Sequence, residues 1–148
     1  IKSEGNDKNS SQNLVALVDG VLGNSGRRDA SWMGLEGNDL DIVLDLATLQ
    51  PVKNIKCNFL SENNAWVFLP RLVQVEVSDD GITYRKVGES SFSADKEVKG
   101  FIVRPLAFAV NGKARFVKLV ARNQGVCPAW HPGAGYKCWL FLDEIVVE

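Results

Sequence analysis

Residues 72–87, LVQVEVSDDGITYRKV, decide the fold class. Val73, Val75 and Val77 alternate with Gln74 and Glu76, and a period of two sets the valines on one face of an extended chain and the polar side chains on the other. One face is therefore buried and the other wet. Asp79-Asp80-Gly81 has the composition of a tight hairpin turn, and 82–87 (ITYRKV) resumes the alternation as the returning strand.

Outward from this hairpin, further strands are predicted at 41–46 (DIVLDL), 52–60, 101–110, 115–121 and 139–147, with turns between them and no long helical stripe. The pattern predicts an all-β protein, an antiparallel jelly-roll β-sandwich, because a parallel sheet would need helices between the strands. Ile55, Cys57 and Phe59 share one strand face, so Cys57 is expected in the core. Two stretches fit no strand: 19–37 (DGVLGNSGRRDASWMGLEG) and 123–137 (NQGVCPAWHPGAGYK). Ordering loops of that length costs entropy that no core contact repays, which marks them as sites of function.

The 148 residues suit one domain, and 45% hydrophobic with 24% charged residues argues against disorder. A formal net charge of −1 offers nothing to a polyanion, so nucleic acid is not an expected partner. No apolar run is long enough to span a bilayer, and no signal peptide opens the chain. A sequence that starts at Ile1 with a polar run over 1–13 reads as a linker remnant ahead of a module at 14–148, cut from a larger secreted, periplasmic or cell-surface protein. Three cysteines leave at least one thiol unpaired, and Cys127 and Cys138 flank a loop that a bridge would close.

ALVDG at 16–20, SWMG at 31–34, DIVLDL, Pro70 followed by VEVSDDG, ARFVKL at 114–119 and the closing WLFLDEIVV stand in consistent order over 14–148. This series resembles the discoidin-like family, which comprises the coagulation factor C-type domains and carbohydrate-binding module family 32. FLSENNAWVFLP (59–70) and CPAWHPGAGYKCWLFLDEI (127–145) are most similar to C-terminal modules of secreted β-hexosaminidases. The resemblance implies a jelly-roll sandwich with ligand-binding loops at one end and a structural calcium ion, Ca2+, beside them. Asp19 and Glu144 match its acidic metal positions; carbonyls near Ala16, Val21 and Asp143, with Asn24 or Asp29, would complete the set. The alternative is that Asp19 only begins a turn and Glu144 lies on the surface.

For sugar recognition the resemblance implies an aromatic ring against a pyranose face, with polar groups on the hydroxyls. Two loops carry both: 61–68, with Trp66, Asn63, Asn64 and Glu62, and 129–137, with Trp130, His131 and Tyr136. Either tryptophan is as readily a core ring as a platform, whereas Trp32 and Trp139 are expected in the core. His131 is the chain's one histidine, which excludes a zinc site built from several, and it is expected to hydrogen-bond a sugar or a backbone carbonyl. Arg28, beside Arg27 and Asp29, is a further candidate sugar contact.

The expected function is a non-catalytic, monomeric carbohydrate-binding module whose partners are a glycan or monosaccharide, of terminal galactose or N-acetylhexosamine type, and a parent catalytic domain. Three rivals stand beside it. A phospholipid-binding module needs protruding apolar loop tips ringed by lysine, and these loops carry Asn, Glu, His and Gly instead. A glycosidase needs two placed carboxylates, and pairs such as Glu36 with Asp39 or Asp143 with Glu144 sit in no motif that would place them. An interface module would pack on its own catalytic domain and bind no sugar.

Overall fold

The computed structural model of the chain describes residues 2–3, 14–23 and 31–148. Its strands are β1 (Lys2–Ser3), β2 (Met33–Glu36), β3 (Leu40–Ser61), β4 (Leu72–Ser78), β5 (Arg85–Ser91), β6 (Ile102–Arg122) and β7 (Trp139–Val147). Helix among the described residues is limited to two 3-10 turns, Leu14–Leu17 and Asn63–Ala65. All strand pairs are antiparallel, along the path β2-β7-β3-β6-β4-β5 with β1 on β3.

Two long strands turn this path into a sandwich. The first half of β3 pairs with the second half of β6 (Leu40 with Ala121), and its second half pairs with the start of β6 (Ser61 with Ile102). Register shifts at Asp45/Gln50 and Val52/Asn54, and positive φ at Ala47 and Asn111, mark where both strands cross between layers. One layer thus contains β2, β7 and the ends of β3 and β6 that pair there; the other contains β1, their remaining halves, β4 and β5. Ile42, Val73, Val75, Val77 and Leu119 from one layer meet Ile55, Phe59, Leu140 and Leu142 from the other in a single core.

The expected jelly-roll sandwich is the observed fold, and three local expectations change. The returning hairpin strand begins at Arg85, not at Ile82, because Asp80 Oδ1 accepts the N–H groups of Ile82 and Thr83 at 2.8 Å each and prolongs the turn. Those donors, Thr83 foremost, hold the Asp80 carboxyl below the usual range. Ile82 is left 85% exposed. A short edge strand, β2, lies inside the stretch 19–37. The strands expected at 41–46 and 52–60 are one continuous β3, as those at 101–110 and 115–121 are one β6.

Cys57, Cys127 and Cys138 are buried free thiols. Burial pushes Cys57 up to about 12 and Cys138 up to about 11, which keeps both protonated and unreactive. Cys138 Sγ lies 3.2 Å from Asn123 Oδ1, its acceptor.

Candidate functional site

The two candidate sugar loops meet. The second 3-10 turn ends on Trp66, whose N–H donates to Asn63 O at 2.8 Å and whose backbone stands at φ 66°, ψ 21°. A bulky side chain at positive φ is costly, and such strain persists only where the surroundings enforce it. Here β7 enforces it: Trp139 N–H donates to Trp66 O at 2.8 Å, and Phe68 N–H donates to Trp139 O at 3.0 Å. Trp66 is left 37% exposed, and its ring centroid lies 6.1 Å from that of Tyr136, itself 69% exposed. Asn64, Pro132 and Lys137 are exposed neighbours in sequence, and Glu62 is half-buried.

Trp130 lies differently. Its Nε1–H donates to Ala94 O at 2.7 Å and its ring packs edge-on to Phe68 at 6.0 Å, in a small cluster with Cys127 and Cys138. That ring is half-buried and committed to packing. Asn63 is buried too: its Oδ1 accepts Val98 N–H at 2.7 Å and its amide donates to Val67 O at 3.3 Å. His131, expected as a sugar or carbonyl partner, is 5% exposed, with both ring nitrogens taken by backbone groups of 63 and 133. Trp32 is buried against Leu60 and Val67, and Trp139 is partly buried beside it. Sequence reasoning missed Gly133, which underlies the Trp66 ring: a Cβ there would stand 2.7 Å from Trp66 Cζ2.

The acidic candidates gather where 14–23 meets β7. Cys57 pairs with Ile145 but Phe59 pairs with Leu142, so β7 carries one extra residue opposite Asn58. Such a bulge re-aims side chains, and Asp143 and Glu144 both reach the same loop. Glu144 Oε2 accepts Gly20 N–H at 3.0 Å; Asp143 Oδ2 accepts Gly23 N–H and Asn58 Nδ2–H, each at 3.1 Å. Asp19 Oδ1 accepts Val21 N–H at 2.9 Å. Both β7 carboxyls are buried, and Asp143 Oδ1 has no hydrogen-bond partner among the described residues. Burial raises Asp143, and burial together with the neighbouring Asp19 raises Glu144. No three acidic, Cys or His side chains among the described residues converge enough to hold a metal unaided, so carbonyls would have to join them. Ala16 lies in the first 3-10 turn and Val21 just after it, while Asn24, Arg27, Arg28 and Asp29 lie outside the described residues.

The raised carboxyls carry a sign that can be measured. A carboxyl raised on folding contributes stability below its unfolded value, and that contribution is lost as pH rises through the raised folded value. In chelator, Asp143→Asn should therefore raise the melting temperature more at pH ~7 than at pH ~4. Thermal scans at both values check it; a pH-independent difference contradicts it.

A concavity of about 250 Å³ is lined by Val77, Ser78, Asp79, Asp80, Thr83 and Arg85. It belongs to the hairpin turn, where Asp80 is already engaged by Ser78, Ile82 and Thr83. Among the described residues no helix is long and apolar enough to cross a membrane.

No family model matches the sequence, and no curated protein sequence matches it. Solved structures do. CBM32-1 from a family 31 glycoside hydrolase of Clostridium perfringens is 20% identical with a TM-score of 0.58, over 99% of this chain and 92% of that one. The module CpGH89CBM32-6, also of Clostridium perfringens, is 13% identical with a TM-score of 0.57, over 99% and 90%. A pectin-binding carbohydrate-binding module is 18% identical with a TM-score of 0.51, over 99% and 87%. At such identities the likeness is one of architecture, and nearly the whole of each partner is covered: the chain has the fold of the family 32 carbohydrate-binding modules.

Proposed function

We propose that the chain is a non-catalytic carbohydrate-binding module, with Trp66 and Tyr136 as an aromatic platform for one face of a pyranose and Asn64 and Glu62 as neighbouring polar groups. The observation that carries this reading is the strained, half-exposed Trp66, held by β7 beside a largely exposed tyrosine. A ring that is packed on one side, held rigidly and left partly exposed on the other suits a ligand platform, which needs little ordering on binding. The ligand class is a terminal galactose-type or N-acetylhexosamine sugar. The module would tether a secreted or surface-bound parent glycoside hydrolase of β-hexosaminidase type to its glycan, acting as a monomer.

Affinity should be weak, with Kd between about 10 µM and several mM, since few heavy atoms are engaged and hydroxyls exchange water bonds for protein bonds at little net gain. Tethering raises the effective concentration enough for such affinity to serve. A glycan array on the isolated chain tests the reading: binding confined to those sugars supports it. Silence on every glycan overturns it in favour of a surface that packs on a neighbouring domain.

The acidic cluster belongs to the same proposal. Asp19 and Glu144 carboxylates, with carbonyls near Ala16, Val21 and Asp143, would hold a calcium ion that staples the first loop to β7. The paired acids and the orphaned Asp143 oxygen suit a hard cation. Calcium at a hundredfold excess over its Kd should raise stability by about 2.7 kcal/mol. An unchanged melting temperature between calcium and EDTA, with no metal in the native protein by mass spectrometry, retires this part.

A further inference from the structure

His131 joins the supports of both exposed rings. Its Nδ1 accepts Gly133 N–H at 2.9 Å, so Nε2 carries the ring proton and donates to Asn63 O at 2.8 Å. The same carbonyl accepts Trp66 N–H at 2.8 Å, the bond that closes the turn at the positive φ. Gly133, at the other end of the imidazole, lies under the Trp66 ring, and its carbonyl accepts Tyr136 N–H at 3.0 Å. One end of the histidine thus holds the backbone that orients Trp66, and the other holds the backbone that orients Tyr136.

Other backbone bonds of the histidine's loop run within the loop itself. His131 N–H donates to Pro128 O at 2.9 Å, Ala134 N–H to His131 O at 2.9 Å and Gly135 N–H to Cys127 O at 3.1 Å. These bonds shape 127–136 but do not tie it to the 62–66 turn. The imidazole is buried, and Trp66, Phe68 and Trp130 close around it edge-on at centroid distances of 5.7, 5.5 and 5.6 Å, so it has no room to swing aside. An apolar ring would fill that space equally well; the two polar ends add a fixed span between two backbones.

We propose that His131 is a positioning residue for the platform: it sets the spacing of the Trp66 and Tyr136 rings, whose centroids lie 6.1 Å apart at 46°. A ligand face that touches both rings at once gains most when that spacing is fixed beforehand, because nothing is then left to order on binding. A strut fails when either end is cut, so the two hydrogen bonds act on affinity as one unit. The effect on affinity rests on Trp66 and Tyr136 as the sugar platform; the spacing itself is readable without ligand.

The test compares three variants under one set of conditions. His131→Gln keeps a donor near the Nε2 position for Asn63 O, His131→Asn keeps an acceptor near the Nδ1 position for Gly133 N–H, and His131→Phe keeps neither but retains the bulk of a ring. Melting temperature should fall with the number of bonds lost, further for the Phe variant than for the Gln variant. Affinity should not follow that order. Kd for the array's strongest glycan should rise about tenfold in all three, the change expected when the correctly spaced state falls to about a tenth of the population. In NMR spectra of the ligand-free chain, the nuclear Overhauser contacts between the Trp66 and Tyr136 rings should weaken in every variant. Those between Phe68 and Trp130 should persist, because these rings pack on each other at 6.0 Å and the indole is tied to Ala94 O.

Three results overturn the proposal: Trp66–Tyr136 contacts that are unchanged in the variants, their loss together with the Phe68–Trp130 contacts, which is general loosening, or a loss of affinity graded in step with melting temperature. If one variant fails to fold, the other two decide. A chain that binds no glycan defeats the sugar reading and leaves the ring contacts still decisive.

Discussion

Trp66→Ala is expected to weaken glycan binding about 30-fold or more and to leave the sandwich folded. The estimate takes roughly 80 Å² of ring face at about 25 cal/mol per Å², or about 2 kcal/mol. Titration calorimetry against the array's strongest glycan should show Kd raised by at least that factor, or no measurable heat where the parent affinity is already millimolar. Alanine inherits the positive φ of the position, so Trp66→Gly serves as a second variant that removes both ring and strain. It should melt no lower than the alanine variant and bind no better. Trp130→Ala is the contrast: losing the bond to Ala94 O and the Phe68 contact should cost about 2–3 kcal/mol of stability. If Trp66→Ala and Trp66→Gly both fold and bind like the parent, the platform is elsewhere.

Phe59→Ala should cost about 3–5 kcal/mol, a large share of what holds a domain of this size together. Phe59 is fully buried on β3, where its register partners are Arg104 on β6 and Leu142 on β7, so both sides of the strand are fixed and the cavity cannot collapse. The melting temperature should fall by roughly 10–15 °C, and Phe59→Leu by much less. A loss under about 1 kcal/mol for the alanine variant would mean that the two layers slide to fill the space.

The face pattern of β4 was legible in the sequence because Val73, Val75 and Val77 are each buried and nothing interrupts them. The two layer crossings were not. Residues 45–51 of β3 are largely exposed, so alternation vanishes at the bend and one strand reads as two. β2 hid because it is a four-residue edge strand amid glycines, and a period of two needs more residues than that to show. In the candidate site, the acids and aromatics stood out by residue type, and Asp143 with Glu144 was visible as a pair. That both aim at one loop depends on a bulge opposite Asn58, a matter of register between distant strands. Likewise, the partition of Trp66 outward and Trp130 inward follows from bonds to Trp139 and Ala94, neither of which sequence spacing foretells.

The late position of β7 has a consequence for how the chain acquires its structure. β7 lies between β2 and β3 in its layer, so among the described residues β2 has no strand to pair with until 139–147 is in place. The two crossing strands likewise bring Leu40 against Ala121, contacts that close very long loops. Such non-local pairing places refolding in the slow range, on the order of milliseconds to seconds. During synthesis, Ile55 and Phe59 can cover only part of the valine face of β4 before Leu140 and Leu142 arrive, an interval in which the nascent chain is most exposed to aggregation.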